Sequence, residues 1–127
     1  MKESEEFDYS AAKKRLHKRL QKEKHLRQER YRRAEADANK IVRMIAREYC
    51  PTRVFLWGSL LHPEQFDENS DIDIAVEGVV EPERFFSMRG EASAMTEIHL
   101  DLVAFEDIDD LARESIRTYG KVVYERS

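Results

Sequence analysis

At 127 residues the chain has room for one domain with an appended element, and its 41% apolar and 38% charged residues imply a modest core beside a heavily solvated segment. The longest strongly apolar run, Val54-Phe55-Leu56-Trp57, excludes a membrane-spanning helix, and a single cysteine, Cys50, excludes an internal disulfide framework or a Cys-based zinc cluster. The net charge of −4 conceals a division, because residues 1–50 hold 15 Lys/Arg against 9 Asp/Glu whereas residues 51–127 hold 7 against 17. Met1 to Glu6 offers no apolar stretch for a signal peptide, so the expectation is a small cytoplasmic protein.

In chain order, residues 10–49 contain no Gly or Pro and are rich in helix formers, with Ser10 as the expected N-cap and Pro51 as the stop. Tyr31, Ala34, Ala38, Ile41, Ile45 and Tyr49 recur every three or four residues, so this half should dock on a core, with Val42 widening the stripe. The first half is different. Leu16, Leu20 and Leu26 hold no heptad phase, which argues against a long coiled coil, while residues 13–33 carry 11 basic against 2 acidic side chains. A partner-binding surface is the favoured reading of that segment and nucleic acid the weaker one, since only Tyr31 interleaves its charges. The expected division is a basic helical extension over 1–50 and a domain over 51–127, with Cys50 read as a small buried residue.

Beyond Pro51 the expected elements are a strand over Arg53–Trp57, a helical turn within Ser59–Phe66, a polar loop over 67–70 and a strand over Asp71–Glu77. A helix over Pro82–Met95, a strand over Ile98–Phe105, a helix over Asp107–Thr118 and a last strand over Lys121–Tyr124 follow. Phe85 and Phe86 are expected in the core. The order predicts an α+β fold, a mixed β-sheet with helices packed on one face, preceded by the long basic helix.

Three carboxylates carry the chemical signal. Asp71 and Asp73 sit two apart on one strand and therefore project from the same face, while Asp101 interrupts a second apolar strand. Like charges among apolar neighbours are costly unless a cation compensates them, and an all-oxygen set suits Mg²⁺ or Mn²⁺. Gly58-Ser59 ends the preceding strand, where a turn's N–H groups can receive phosphate oxygens. Strand, Gly-Ser, an interval of residues 60–70 and then Asp-x-Asp within a strand is the equipment of phosphoryl or nucleotidyl transfer. An EF-hand beginning at Asp67 fails, because Ile72 stands at its glycine position and Gly78 at its closing glutamate.

Phe55-Leu56-Trp57-Gly58-Ser59 followed by Ser70-Asp71-Ile72-Asp73-Ile74-Ala75-Val76 resembles the signature of the DNA polymerase β-like nucleotidyltransferase superfamily, and of its minimal members in particular. His99-Leu100-Asp101-Leu102-Val103 occupies the place of the third carboxylate, and Gly120 to Glu125 looks like the usual ending, so the resemblance spans residues 52–126. It implies that Gly58 and Ser59, with Ser70 beside the Asp pair, contact the nucleotide. Asp71 and Asp73 would bind two Mg²⁺ ions, together with Asp101, which would also activate the attacking hydroxyl. ATP is the implied donor. The implied partner is a HEPN-type toxin, neutralised by its antitoxin through contact or adenylylation; a homo-oligomer is also compatible. Where the family often reads Gly-Ser-x-Ala-Arg-Gly, this chain reads Leu60-Leu61-His62-Pro63 after Ser59, which bears on triphosphate affinity. The alternative reading is therefore a catalytically idle binding module.

Overall fold

The computed structural model describes residues 8–127. Helix α1 spans Tyr9–Tyr49, 41 residues without a break. Its N-cap is Asp8 rather than the expected Ser10: the Asp8 carboxylate accepts from Ala11 N at 3.1 Å, two residues earlier than the hydroxyl would. The chain leaves the helix through Cys50 in the left-handed region, φ 47°, immediately before Pro51. That capping position leaves Cys50 exposed, not buried as expected.

Strands β1 (Arg53–Trp57), β2 (Ile72–Glu77), β3 (Leu100–Ala104) and β4 (Lys121–Glu125) form one sheet in the order β3-β2-β1-β4. β1 pairs antiparallel with β2 and β4, whereas β2 and β3 run parallel, joined by helix α2 (Pro82–Ser93). Helix α3 (Asp110–Tyr119) precedes β4, and its N-cap Asp109 accepts from Ala112 N at 2.8 Å. Short 3₁₀ segments cover Gly58–Leu61, Pro63–Gln65 and Phe105–Asp107.

Period-two alternation divides β1, β2 and β3 between two apolar layers. Val54, Leu56, Ile72, Ile74, Val76 and Leu102 face α1 and α2, which contribute Ala34, Ala38, Ile41, Ile45, Met88 and Ala92. The opposite face carries Phe55 and Ala75 beneath Phe105 and Ile116, with the Phe55 and Phe105 rings stacked at 4.9 Å. Helices therefore cover both faces, not one as expected. Phe55 needs a lid, and α3 supplies it with Ile116. Phe85 packs partly against the first layer, but Phe86, expected in the core, is 75% exposed one position around α2.

The direction of α1 positions everything that follows. Its C-terminal end lies where β1 begins, with Arg84 Nη2 donating to Tyr49 O at 2.7 Å and Arg126 Nη1 to Cys50 O at 3.1 Å. Toward its middle it passes the segments leading into β2 and β3. Tyr31 meets Phe66 edge-on at 5.7 Å, Arg30 Nε donates to Asp67 O at 3.1 Å, and Thr96 Oγ1 donates to Asp37 at 2.7 Å. From there α1 continues beyond the sheet, and residues 13–29 are exposed throughout.

Gly78 closes β2 at the end opposite the Gly58 turn, with φ 99°. A Cβ there would lie 2.5 Å from Thr52 Oγ1 and 2.6 Å from Thr52 N. Gly78→Ala is accordingly expected to destabilise the fold by about 2 kcal/mol or more, from left-handed strain and this collision together. Urea denaturation would read this as a lower midpoint at unchanged slope.

Candidate active site

The sheet register brings together what the sequence leaves apart. Asp73 on β2 stands directly opposite Asp101 on β3, and opposite Trp57 on β1. Asp71 immediately precedes β2 and shares the face of Asp73 by strand alternation. All three carboxylates are only partly buried, so they open toward solvent at the edge of the Phe55 layer. His99 Nδ1 lies 3.4 Å from Asp71 Oδ1 and is the one imidazole beside them among the described residues.

The Gly-Ser turn presses on the same group. Gly58 has φ 78°, and a Cβ on it would overlap Asp73 Oδ2 and stand 3.2 Å from Asp73 Cγ. Only a glycine lets this backbone and that carboxylate share the space. Ser59 and Leu60 then form the 3₁₀ turn, in which His62 N donates to Ser59 O at 2.9 Å. The first N–H groups of such a turn have no partner within the turn. Ser70 is turned elsewhere. Its hydroxyl accepts from Asp67 N at 3.0 Å and donates to Asp67 Oδ1 at 3.3 Å, so it shapes the loop leading to Asp71.

Burial first, then the charges of Asp101 and Asp71, together push the Asp73 carboxyl up to about 6 against the opposing effect of His99. Crowded carboxylates with a single imidazole nearby are the donor set a hard divalent ion compensates. Asp71, Asp73 and Asp101 therefore fit Mg²⁺ in the chemistry of their donors. Among the described residues, no three His, Cys, Asp or Glu side chains are drawn together into a ligand cluster, so the three share a face without converging on one point.

The raised Asp73 value has a measurable consequence for the metal-free protein. A carboxyl whose folded value exceeds its unfolded value near 3.8 contributes stability below that pH, and the contribution is lost as pH rises through about 6. At pH 8 the ionised group is therefore a burden. Asp73→Asn should raise the stability of the metal-free protein by about 1 kcal/mol, once the shift is discounted for the half-exposed setting, or about 4 °C in Tm. The gain should vanish near pH 4. Millimolar Mg²⁺ should raise the wild-type Tm at pH 8 and leave the variant nearly unmoved.

One neighbour escaped the sequence reading. Trp57 shares the odd-numbered face of Phe55, and its indole Nε1 is buried without a hydrogen-bond partner among the described residues. It borders a cavity of about 220 Å³ with Gly58, His62, Ser115, Tyr119 and Gly120. The strand phase was the available signal, since Trp57 lies two residues from Phe55 and immediately before the turn.

A family model described as polymerase beta, nucleotidyltransferase, matches residues 39–127. Among curated protein sequences none matches the chain. Solved structures share its fold at low identity. A toxin–antitoxin with AMP-PNP is 24% identical with TM-score 0.58, over 71% of this chain and 74% of that one. The MntA–HepT toxin–antitoxin is 20% identical with TM-score 0.56, over 72% and 73%. The complex of tri-AMPylated Shewanella oneidensis HEPN toxin with MNT antitoxin is 21% identical with TM-score 0.53, over 73% of each chain. Among the described residues no helix is long and apolar enough to cross a membrane.

Proposed function

The chain belongs to the polymerase beta nucleotidyltransferase family, and on that footing we propose that it transfers an adenylyl group from ATP to a hydroxyl of a partner protein. The observation that carries this is that the Gly58 backbone abuts the Asp73 carboxylate, and Asp73 stands opposite Asp101 in the sheet register. Gly58 and Ser59 orient the triphosphate, Ser70 holds the loop that presents Asp71, and Asp71 and Asp73 would hold Mg²⁺, with Asp101 beside them. Bound Mg²⁺ supplies neutralisation of the triphosphate and the developing charge. Asp101 takes the proton of the acceptor hydroxyl, whose oxygen bonds to the α-phosphorus as the α–β bridging bond breaks and pyrophosphate leaves.

The partner in this proposal is a HEPN-type toxin, with this chain as antitoxin. The support is the fold shared with MNT antitoxin in complex with an AMPylated HEPN toxin. A cytoplasmic setting follows from the ATP such a reaction consumes. The deciding experiment supplies ATP labelled at the α- or the γ-phosphate to the purified chain and a host lysate. Label from the α position alone should enter one protein band; label from both positions, or from neither, would overturn adenylyl transfer. A second reading, neutralisation by contact with an idle site, is favoured by exposed His62 standing where relatives often carry a stronger cation. Neutralisation that survives without ATP would select it.

A further inference from the structure

The first half of α1 is a structural anomaly. Residues 13–29 are exposed, and none of the eight Lys and Arg between residues 13 and 27 makes an ion pair among the described residues. An isolated helix that is polar all round is ordinarily held by many i,i+4 pairs. Here the one such pair within this exposed half is His25 with Glu29, at 3.1 Å. With eight cations against Glu23 and Glu29 alone, the segment is complementary to an external polyanion.

The arrangement of the charges says which. At about 100° per residue, Arg27, Lys13, Lys14, Lys18, Arg15 and Arg19 follow one another around the axis with no gap wider than about 100°. A protein surface would neutralise one flank and leave the other. A helix lying in a groove between two phosphate walls has anions on both sides. The major groove of B-form DNA is about 12 Å wide and admits a helix, whereas the deep groove of an RNA duplex is too narrow. No aromatic residue lies between residues 10 and 30, so the segment lacks the stacking platforms of single-strand binders. Leu16 and Leu20 are the two apolar side chains in phase over residues 13–29, too few to seam this helix to a second copy.

We infer that the projecting half of α1, residues 13–29, is a double-stranded DNA-binding element that grips phosphates on both walls of the major groove. Residues 13–29 span roughly 25 Å, with Glu23, Leu26 and Arg27 bordering the Asp67–Glu68 loop at the inner end. Sequence preference is expected to be slight, because the contacts are charges on phosphates. This inference stands apart from the transfer reaction, and either can fail alone.

The test is fluorescence anisotropy of a labelled 20-bp DNA duplex titrated with the full chain. Binding should weaken roughly 10²-fold or more between 50 and 200 mM salt. Replacing Lys14, Lys18, Arg19 and Lys22 together by Gln, with helix content checked by circular dichroism, should lower the salt slope by about 3 to 4 and weaken binding at least tenfold. Parallel arms use an RNA duplex of the same sequence, single-stranded DNA and polyglutamate. Unchanged anisotropy at 50 mM salt, equal binding by the variant, or tighter binding of any of the three other probes would overturn the inference. So would low-salt self-association abolished by the same substitutions, which would assign the helix to a second copy of the chain.

Discussion

Asp71→Asn combined with Asp73→Asn is expected to reduce the proposed adenylyl transfer by roughly 10³-fold or more, the loss that follows from withdrawing several kcal/mol of charge stabilisation. The fold should survive. Both side chains are only partly buried at the rim of the Phe55 layer, and Asp73 is held ionised against burial and the charges of Asp101 and Asp71. Removing two of three crowded carboxylates relieves repulsion, so the variant should melt no lower than wild type at pH 8 while losing its response to Mg²⁺. This combination separates a dead site from an unfolded chain. Full transfer activity in the double variant would sink the mechanism. A normal melting curve with lost activity but retained neutralisation of a toxin would move the proposed antitoxin role from chemistry to contact.

Each half of the site was legible to a different depth. Asp-x-Asp inside an apolar strand, after a Gly-Ser turn, can be read locally because alternation fixes the faces of Asp71 and Asp73 without knowing their neighbours. The place of Asp101 cannot. It depends on β3 pairing parallel with β2 through α2 in a register that sets Asp73 opposite Asp101, and register is a property of two strands and their connection. The same limit explains the misplaced helix. Phe55 and Ala75 announce a second apolar layer, but which element covers it is settled by where α3 lands, and Ile116 alone of α3 is buried there.

The local errors have local causes. Two capping residues competed at the start of α1, and the carboxylate of Asp8 won over the hydroxyl of Ser10. Adjacent Phe85 and Phe86 cannot share one face of a helix, so one of the pair had to be exposed. Cys50 ends a helix in the left-handed conformation, and the position that releases the chain toward Pro51 is an open one. The exposed half of α1 is the converse case. Its charge was plain in the sequence, but whether those cations had partners was a question about space, answered only when residues 13–29 were found beyond the end of the sheet.

Gly58→Ala should lower the proposed transfer activity by roughly 10²-fold, by a different physical route from loss of the carboxylates. The residue needs φ 78°, which an alanine adopts at a cost of roughly 1 kcal/mol or more. Its methyl would in addition overlap Asp73 Oδ2, so either the Gly-Ser turn or the carboxylate must move. Either movement separates the triphosphate turn from the group opposite Asp101, and misplacement by about 1 Å is enough to cost roughly 10²-fold in rate. The expected signature is loss of nucleotide-dependent and Mg²⁺-dependent thermal stabilisation together, with Tm lowered by several degrees, where the Asp double variant loses the Mg²⁺ response without a fall in Tm. Combining Gly58→Ala with Asp73→Asn leaves the overlap in place, because asparagine has nearly the same shape. Combining it with Asp73→Ala removes the overlapping carboxylate, so that double variant should recover stability relative to Gly58→Ala alone while remaining inactive. If Asp73→Ala restores none of the lost stability, the collision is not what Gly58 avoids, and its left-handed backbone alone accounts for the effect.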